Sequence, residues 1–329
     1  MNKDVWVVAE HSQGRLNEIT FELLGKGREL AQAMGGKLAV ALLGSELAGR
    51  ASELGATDLA YVADRPELRE FTPDAYCAVL EAGLKSAAPR LVLLGSTSVG
   101  LDLLSLLSAR LNFPCLDNCI RLEMRDGQVI ATSQIYGGKL FAEVALAEET
   151  TLVAVVPGMF PAEAGKVSGK PEVVDLVLPP TLHAPRITFR QLIEPPPGDV
   201  DITKAPILVA VGRGIQNAEN LPLAQELAEV LGGAVCGSRP VIDQGWLPLT
   251  RQVGKSGMTV KPKLYFAFGI SGAPEHLEGM KQSELIVAIN TDPKAPIFGA
   301  AQYGAVVDAL DLLPLLVEEV RKQSVNKAS

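Results

Sequence analysis

The chain has 329 residues, of which 47% are hydrophobic and 21% charged, and its formal net charge is −8. This composition excludes an intrinsically disordered chain, because disorder requires low hydrophobicity together with high charge. The acidic balance and the low aromatic content of 5% argue against nucleic acid or an anionic membrane as the main partner.

The length predicts two domains, at about 150 residues per domain. The mean hydropathy of +0.21 is high for a chain that has no run of ~20 apolar residues. We therefore expect no membrane span, and we infer that the chain either fills its cores well or hides apolar surface against a partner. The four scattered cysteines and an N-terminus without a targeting pattern predict a cytoplasmic location.

The first half alternates almost continuously apolar strands with amphipathic helices. We predict strands at 5–9, 38–43, 59–62 and 91–94, and helices at 16–34, 73–87 and 100–111. Gly35-Gly36 is typical of a helix end, and Thr72 followed by Pro73 is typical of a helix start. This alternation predicts a parallel sheet that is covered on both faces.

The alternation of strands and helices ends after Pro114. Four strand-like runs follow one another, at 119–124, 129–136, 140–146 and 151–156. Turn residues separate them, at 126–127, 137–138 and 148–149. We predict an antiparallel extension of the first domain, which makes its sheet mixed, and we expect this extension to contribute to a partner surface.

A proline-rich stretch then divides the chain. The run Glu194-Pro195-Pro196-Pro197-Gly198-Asp199 has the composition of a linker. The sequence therefore predicts an N-terminal α/β domain at 1–194, a linker at 195–204 and a second domain at 205–329.

The second half returns to α/β alternation and predicts a doubly wound parallel sheet. Predicted strands lie at 207–211, 234–237, 264–268, 285–289 and 304–307. One helix is predicted at 219–231, a second ends at 280, and a terminal helix runs through 320. Polar residues lie at or directly after each strand end: Arg213, Ser238-Arg239, Ser271, Asn290 and Asp308. Since ligands bind at the carboxyl ends of such strands, we predict a binding site there. The first half has no comparable set.

Three glycine-rich segments imitate known motifs incompletely. Gly212-Arg213-Gly214 lacks the third glycine of a dinucleotide fingerprint, so a phosphate site and an ordinary tight turn both stay open. Gly254-Lys255-Ser256-Gly257 lacks the first glycine of a P-loop, which argues against a nucleoside triphosphatase. Gly269 to Ala273 imitates a nucleophile elbow, but His276 is too close along the chain to complete a triad.

Several single residues have two interpretations. We interpret Ser271 as a helix N-cap beside a pyrophosphate. Arg239 fits either a ligand contact or a surface salt bridge, and Asp308 fits either a ribose contact or a helix cap. Cys115 and Cys119 stand alone as a pair, so we predict no metal site.

Seven motifs in the second half together resemble the α subunit of electron transfer flavoproteins, a resemblance that covers residues 212–314. They are Gly212-Arg213-Gly214-Ile215, Gly237-Ser238-Arg239-Pro240-Val241-Ile242-Asp243-Gln244-Gly245-Trp246, Gln252-Val253-Gly254-Lys255-Ser256-Gly257, Gly269-Ile270-Ser271-Gly272-Ala273, His276-Leu277-Glu278-Gly279-Met280, Val287-Ala288-Ile289-Asn290 and Ala295-Pro296-Ile297-Phe298. The first half is compatible with the N-terminal domain of that family, including Leu94-Gly95-Ser96-Thr97.

The resemblance implies that the C-terminal domain binds one FAD. Arg239 would lie by the flavin ring, the Ser256 hydroxyl near N5, and His276 at the pyrimidine carbonyl. The implied cofactor-binding residues are Arg213, Ser238, Arg239, Gln252, Val253, Gly254, Lys255, Ser256, Ser271, Gly272, Ala273, Pro274, Glu275, His276, Asn290, Asp308 and Ala309. Positive charge from Arg239 and a hydrogen-bond donor from His276 would stabilise negative charge on the ring.

The resemblance also implies an obligate heterodimer with a β subunit that carries AMP or a second FAD. Such a heterodimer is an electron carrier rather than a stand-alone enzyme. It moves electrons between a dehydrogenase, for acyl-CoA in fatty-acid β-oxidation or a similar substrate, and a second redox partner. An alternative is the electron-bifurcating branch, whose partner subunit oxidises NADH. Two rivals from other classes are a non-redox nucleotide-binding regulatory subunit and an α/β hydrolase.

The sequence departs from the family pattern at Ser256, at Met258, where lysine is common, and at Pro274-Glu275. Ser256 stands where threonine is common, which preserves the hydroxyl. Pro274-Glu275 replaces an aliphatic residue and glutamine, so a carboxylate stands near the predicted ring position. Glu275 would oppose the addition of electrons if it faces the flavin, and would not if it turns to solvent.

Overall fold

The computed structural model describes residues 2–12, 14–47, 49–136, 138–146, 149–176, 178–179, 187–191 and 200–328, without the side chains of 324–328. The chain divides into two units, residues 1–191 and 192–329. The proline run at 195–199 lies outside the described residues, so the domain bounds and the linker stay predictions.

The N-terminal unit contains a nine-stranded mixed sheet. In chain order its strands and helices are β1 (Val5–Val8), β2 (His11–Ser12), β3 (Arg15–Leu16), α1 (Glu18–Met34), β4 (Leu38–Gly44), β5 (Leu59–Asp64), α2 (Pro73–Ala87), β6 (Leu91–Gly95), α3 (Ser98–Leu111), β7 (Cys115–Arg125), β8 (Gln128–Ile135), β9 (Leu140–Ala145), β10 (Thr151–Val155) and β11 (Glu172–Asp175). The sheet has the order β11-β5-β4-β1-β6-β10-β7-β8-β9, and β2 pairs with β3 as a separate short hairpin.

Both faces of this sheet are buried near its centre. Val5 and Val7 of β1 face a cluster that includes α1, whereas Trp6 and Val8 face a cluster that includes α2 and α3. A strand that is apolar at every position suits this arrangement, because alternate side chains enter two different cores. The predicted mixed-sheet α/β fold is confirmed.

The antiparallel extension is smaller than predicted. β7, β8 and β9 pair antiparallel, as expected. The prediction for 151–156 was wrong in direction, because β10 pairs parallel with both β6 and β7. All five residues of β10 are buried, which fits an interior strand and removes it from any partner surface.

Local differences have local causes. α1 begins at Glu18 rather than residue 16, because Leu16 pairs in the β2–β3 hairpin. Thr72 precedes α2 in an extended conformation, but its hydroxyl makes no capping bond. β11, an edge strand with a charged residue at each end, was not predicted. Of the predicted turn residues, Gly137 and Glu148 lie outside the described residues.

The C-terminal unit contains a five-stranded parallel sheet. Its elements are β12 (Ile207–Val211), α4 (Leu221–Leu231), β13 (Ala234–Gly237), α5 (Arg239–Asp243), β14 (Leu264–Phe268), α6 (Pro274–Met280), β15 (Ile286–Asn290), β16 (Tyr303–Val306) and α7 (Ala309–Ala328). The order is β13-β12-β14-β15-β16, with every neighbouring pair parallel. α4 and α7 contribute to the core on one face and α6 to the core on the other, which confirms the doubly wound fold.

The strand order of this unit places a crevice beside β12. The chain leaves β12 toward β13 on one side and then crosses to β14 on the other side. The chain therefore continues from β12 and from β14 to helices on opposite faces of the sheet, α4 and α6, a topology that leaves a crevice at the carboxyl ends of the strands. Within the described part of the chain, we find no helix with the length and apolar character needed to cross a membrane.

Candidate functional site

A cavity of about 740 Å³ opens at the carboxyl ends of β12, β14 and β15. Its volume lies in the range of small-molecule and cofactor sites. The lining residues are Arg213, Gly214, Ser238, Arg239, Pro240, Asp243, Gln252, Val253, Gly254, Lys255, Ser256, Gly269, Ile270, Ser271, Ala273, Glu275, His276 and Asn290.

Glycine backbones bring the loops after β12 and β14 into contact. Gly212 donates a hydrogen bond to the carbonyl of Phe268 (2.8 Å), and Gly214 donates one to the carbonyl of Gly269 (3.1 Å). A Cβ on Gly212 would lie 2.3 Å from the carbonyl oxygen of Gly269, which itself has a φ of +62°. Larger residues would separate the two loops, so the glycines set the distance across this cavity wall.

The segment 252–258 forms a second wall that is held by buried polar groups. The Val253 amide donates to the carbonyl of Gly237 (2.9 Å), and the Lys255 amide donates to the carbonyl of Glu275 (2.8 Å). The buried Gln252 donates from Nε2 to Oγ of the exposed Ser256, at 2.9 Å. This bond leaves the Ser256 hydroxyl proton available for an acceptor.

His276 is the most perturbed group at the cavity. It is buried, and burial lowers its pKa to about 4, so the imidazole is neutral at pH 7. Its Nε2 lies 3.0 Å from the hydroxyl of Tyr265, which is fully buried. Its Nδ1 is buried and has no hydrogen-bond partner within the described chain. A buried polar atom without a partner at a cavity wall favours a bound ligand there.

Both signs of charge line the cavity. Arg239 is paired with Asp243 on the same short helix at 3.4 Å, and both side chains are mostly exposed. The Lys255 ammonium lies 3.8 Å from Glu278, and Arg213 adds a third cation to the lining. Exposed pairs of this kind contribute little to stability, so these cations remain available to an anionic group.

Most of the predicted site residues meet in this cavity, but four do not line it: Gly272, Pro274, Asp308 and Ala309. The backbone of Gly272 packs closely against Ile297, so a Cβ on Gly272 would lie 2.3 Å from the amide nitrogen of Ile297. Asp308 accepts a hydrogen bond from the Leu310 amide at 2.9 Å, which supports the helix-cap interpretation.

The N-cap interpretation of Ser271 was wrong. α6 begins at Pro274, so its N-cap is Ala273, and Ser271 lies in the preceding loop at the cavity wall. The residue stays near the amino end of the helix without capping it. Its carbonyl accepts a hydrogen bond from the Ile297 amide at 3.0 Å, which fixes this loop against the next one.

Residues that were not predicted also line the cavity: Gly214, Pro240, Asp243, Gly269 and Ile270. All of them belong to motifs that the sequence had already singled out. Asp243 lies four residues after Arg239, one turn of helix later, and this spacing is the signal that could have identified it.

Comparison with known families matches both units. A family model described as an electron transfer flavoprotein domain matches residues 5–181. A second model, described as an electron transfer flavoprotein FAD-binding domain, matches residues 201–281. The second range includes every lining residue of the cavity except Asn290.

Curated relatives match almost the whole chain. Protein FixB of Clostridium saccharobutylicum is 40% identical over 326 residues and covers 97% of each chain. The electron transfer flavoprotein subunit alpha of Bacillus subtilis is 36% identical over 331 residues, which cover 99% of this chain and 100% of that subunit. Subunit LctC of the lactate dehydrogenase (NAD(+),ferredoxin) of Acetobacterium woodii is 35% identical over 332 residues, with 99% of this chain and 78% of LctC covered.

The lowered pKa of His276 predicts a pH-dependent loss of stability. The folded state takes up the ring proton near pH 4, whereas the unfolded chain takes it up near 6.5, so stability falls as the pH drops between these values. At about pH 4.5 the loss amounts to roughly 2–3 kcal/mol. Urea unfolding at neutral and acid pH should show that the free energy of unfolding depends less on pH in His276→Gln than in the wild type. An equal pH dependence for the two proteins would contradict the assignment.

Proposed function

We propose that this chain, which belongs to the family of electron transfer flavoprotein α subunits, carries electrons through one FAD bound in the cavity of its C-terminal unit. The observation that carries the proposal is the convergence of separate loops on one cavity at the topological switch point of a parallel sheet. This is where open α/β sheets bind nucleotide-containing ligands.

The residues present fit an FAD. Ser271 and Ala273 line the cavity in the loop that leads into α6, where backbone amides would meet a pyrophosphate, and cationic side chains at the wall complement its charge. The neutral His276 has a ring nitrogen that lacks a partner in the described part of the chain and could bond to a flavin carbonyl, and Ser256 has a hydroxyl proton to donate. When bound, FAD supplies reversible uptake of electrons.

The residues of this chain bind and orient rather than react. Arg239 on the short helix α5 places a positive charge at the cavity, where added negative charge is stabilised. Asn290 donates from Nδ2 to the carbonyl of Ile270 at 2.9 Å and so ties the end of β15 to the loop after β14. His276 is bonded to Tyr265 rather than to a serine or a cysteine, which disfavours the hydrolase rival.

The electron-bifurcating branch is the second candidate. One relative, LctC, bears the name of a lactate dehydrogenase that uses NAD(+) and ferredoxin, and it matches 99% of this chain. In that branch the β subunit would hold a second FAD and oxidise NADH, whereas in the other it would hold AMP. The electron donor proposed for the non-bifurcating branch is an acyl-CoA dehydrogenase or a similar enzyme, acting in the cytoplasm.

α subunits of this family pair with a β subunit, and we place part of that contact on the edge strand β9. Leu140 and Phe141 at its start are 54% and 60% exposed, and Val144 is 38% exposed. These neighbours point to opposite faces, so the strand exposes apolar side chains on both sides. An apolar edge strand of this kind needs a partner, since it otherwise promotes aggregation. We therefore propose β9 as the part of the predicted extension that contacts the partner.

The test of the proposed function is the flavin content of the complex with its β subunit. We expect the purified heterodimer to show the visible absorption of a flavin and to release FAD on denaturation. One FAD per heterodimer favours the simple carrier, and two with reduction by NADH select the bifurcating branch. A colourless complex that does not take up FAD would overturn the proposal and favour a regulatory subunit.

A pair of glycine variants localises the bound flavin. Gly254 lines the cavity with a φ of +140°, and a Cβ there would lie 2.9 Å from the carbonyl of Glu275, so Gly254→Val should abolish FAD binding. Gly299 has open space around its Cβ position and a φ outside the left-handed region, so Gly299→Ala should bind FAD normally. Unchanged binding in Gly254→Val would place the flavin elsewhere.

The substitution Glu275→Gln should raise the midpoint potential of the bound flavin. Glu275 lines the cavity, and removal of its negative charge favours electron uptake. Glu284→Gln is the control, because Glu284 is an exposed carboxylate beyond the end of α6 that does not line the cavity, so the potential of this variant should equal that of the wild type. Potentiometric titration of both variants measures the effect. A potential equal to that of the wild type would show that the Glu275 carboxylate is directed to solvent.

The substitution Phe141→Glu should weaken the heterodimer. It places a charge in the exposed apolar strand β9, where desolvation on association would be costly. The matched control is Val173→Glu on β11, because β11 is the opposite edge of the same sheet and Val173 is 55% exposed. Sedimentation of the co-expressed subunits should show dissociation for Phe141→Glu alone. Intact heterodimers for both variants would place the interface away from β9.

A further inference from the structure

Behind the cavity wall lies a polar residue that the proposed roles do not include. Tyr265 on β14 is fully buried, and its hydroxyl is 3.0 Å from Nε2 of His276. The ring centroids are 6.2 Å apart at an angle of 57°, so the contact runs through the hydroxyl rather than through ring stacking. The thiol of Cys236, buried on β13, is the other polar neighbour of this hydroxyl.

This contact limits how His276 can bond to anything in the cavity. Nε2 is occupied by Tyr265, and Nδ1 is the other polar atom of the ring. Nδ1 has no partner within the described chain, although His276 lines the cavity. A bound molecule that accepts or donates a hydrogen bond at this histidine must therefore do so at Nδ1.

The donor in the hydrogen bond between Tyr265 and His276 follows from the relative strengths of the phenol, imidazole and thiol as hydrogen-bonding groups. A phenol is a better donor than a thiol, and an imidazole nitrogen is a better acceptor than a thiol sulfur. The favoured arrangement therefore has the Tyr265 hydroxyl donating to Nε2. Burial raises the pKa of Tyr265 and lowers that of His276, so the phenol keeps its proton and the imidazole has one proton at pH 7.

We propose that Tyr265 is a positioning residue that, by donating to Nε2, places the single ring proton of His276 on Nδ1 and makes this histidine a neutral donor into the cavity. The acceptor that fits this donor is a carbonyl oxygen of the bound flavin, so the inference rests on the proposed function. The backbone carbonyl of Val253 lies near the His276 ring and acts on its pKa in the direction opposite to burial, by raising it.

The consequence is that the hydroxyl of Tyr265 acts on the flavin without touching it. In Tyr265→Phe, Nε2 loses its donor, and the ring proton is free to occupy either nitrogen. A fraction of the molecules would then present a lone pair to the carbonyl oxygen. We expect roughly three- to tenfold weaker FAD binding, which corresponds to the loss of about one hydrogen bond. We also expect a lower midpoint potential, because charge added to the ring is less well stabilised.

The decisive experiment is ¹⁵N NMR of the imidazole tautomer in the FAD-loaded heterodimer, with histidine labelled only in this chain. The chain has three histidines, and the spectrum of His276→Gln assigns the signal. We expect the pattern of a neutral ring protonated at Nδ1 in the wild type, and a mixed or Nε2-protonated pattern in Tyr265→Phe. A wild-type ring protonated at Nε2 would overturn the proposal without any variant.

A matched variant separates this effect from a loss of stability. Tyr76 is buried in the N-terminal unit, and its hydroxyl donates to backbone carbonyls of Leu43 and Leu68. Tyr76→Phe removes a buried hydroxyl in the same way and should leave the tautomer, the FAD affinity and the potential unchanged. An unchanged His276 tautomer in a folded Tyr265→Phe complex would also overturn the proposal. A wild-type complex without FAD would instead refute the proposed function, while the tautomer remains measurable.

Discussion

The contact between the glycine backbones after β12 and β14 is the constraint on which the site depends. Gly212 and Gly214 bond to the end of β14 and to Gly269, at distances where a single Cβ would collide with a carbonyl. Because β12 lies between β13 and β14, the chain continues from the two loops to helices on opposite faces of the sheet, α4 and α6. The cavity opens beside this contact, and the other walls are built onto it.

The cationic side chains and the histidine of the cavity differ in how far they are exposed. The cations lie at exposed positions, where they meet an anion without first giving up a strong partner. His276 is instead buried and neutral, with its Nε2 held by Tyr265 from the core. This division suits a site that binds and tunes an electron carrier, since the bound group performs the chemistry and the protein supplies orientation and field.

Much of the fold could be predicted from the sequence, and the errors have a common cause. Strand periodicity located β12, β13 and β14 to the residue, because each is short, apolar and bounded by glycine or proline. It did not give the direction of β10, since pairing partners are chosen over long sequence separations. The same holds within the site. The motifs identified most cavity residues, but Asp308 caps a helix, and the contact of Tyr265 with His276 joins a strand and a helix.

The sequence by itself determined the α/β class, the doubly wound second half, the family and the loops that carry the polar residues. These properties depend on local patterns, namely alternation, helix spacing and glycine placement, which act within a few residues. Only the tertiary structure decided which polar residues share one cavity, which ring nitrogen of His276 has no partner among the described residues, and that β9 rather than β10 exposes apolar side chains. Those outcomes depend on close packing between segments far apart in the chain, where one side chain or one strand order decides what is buried.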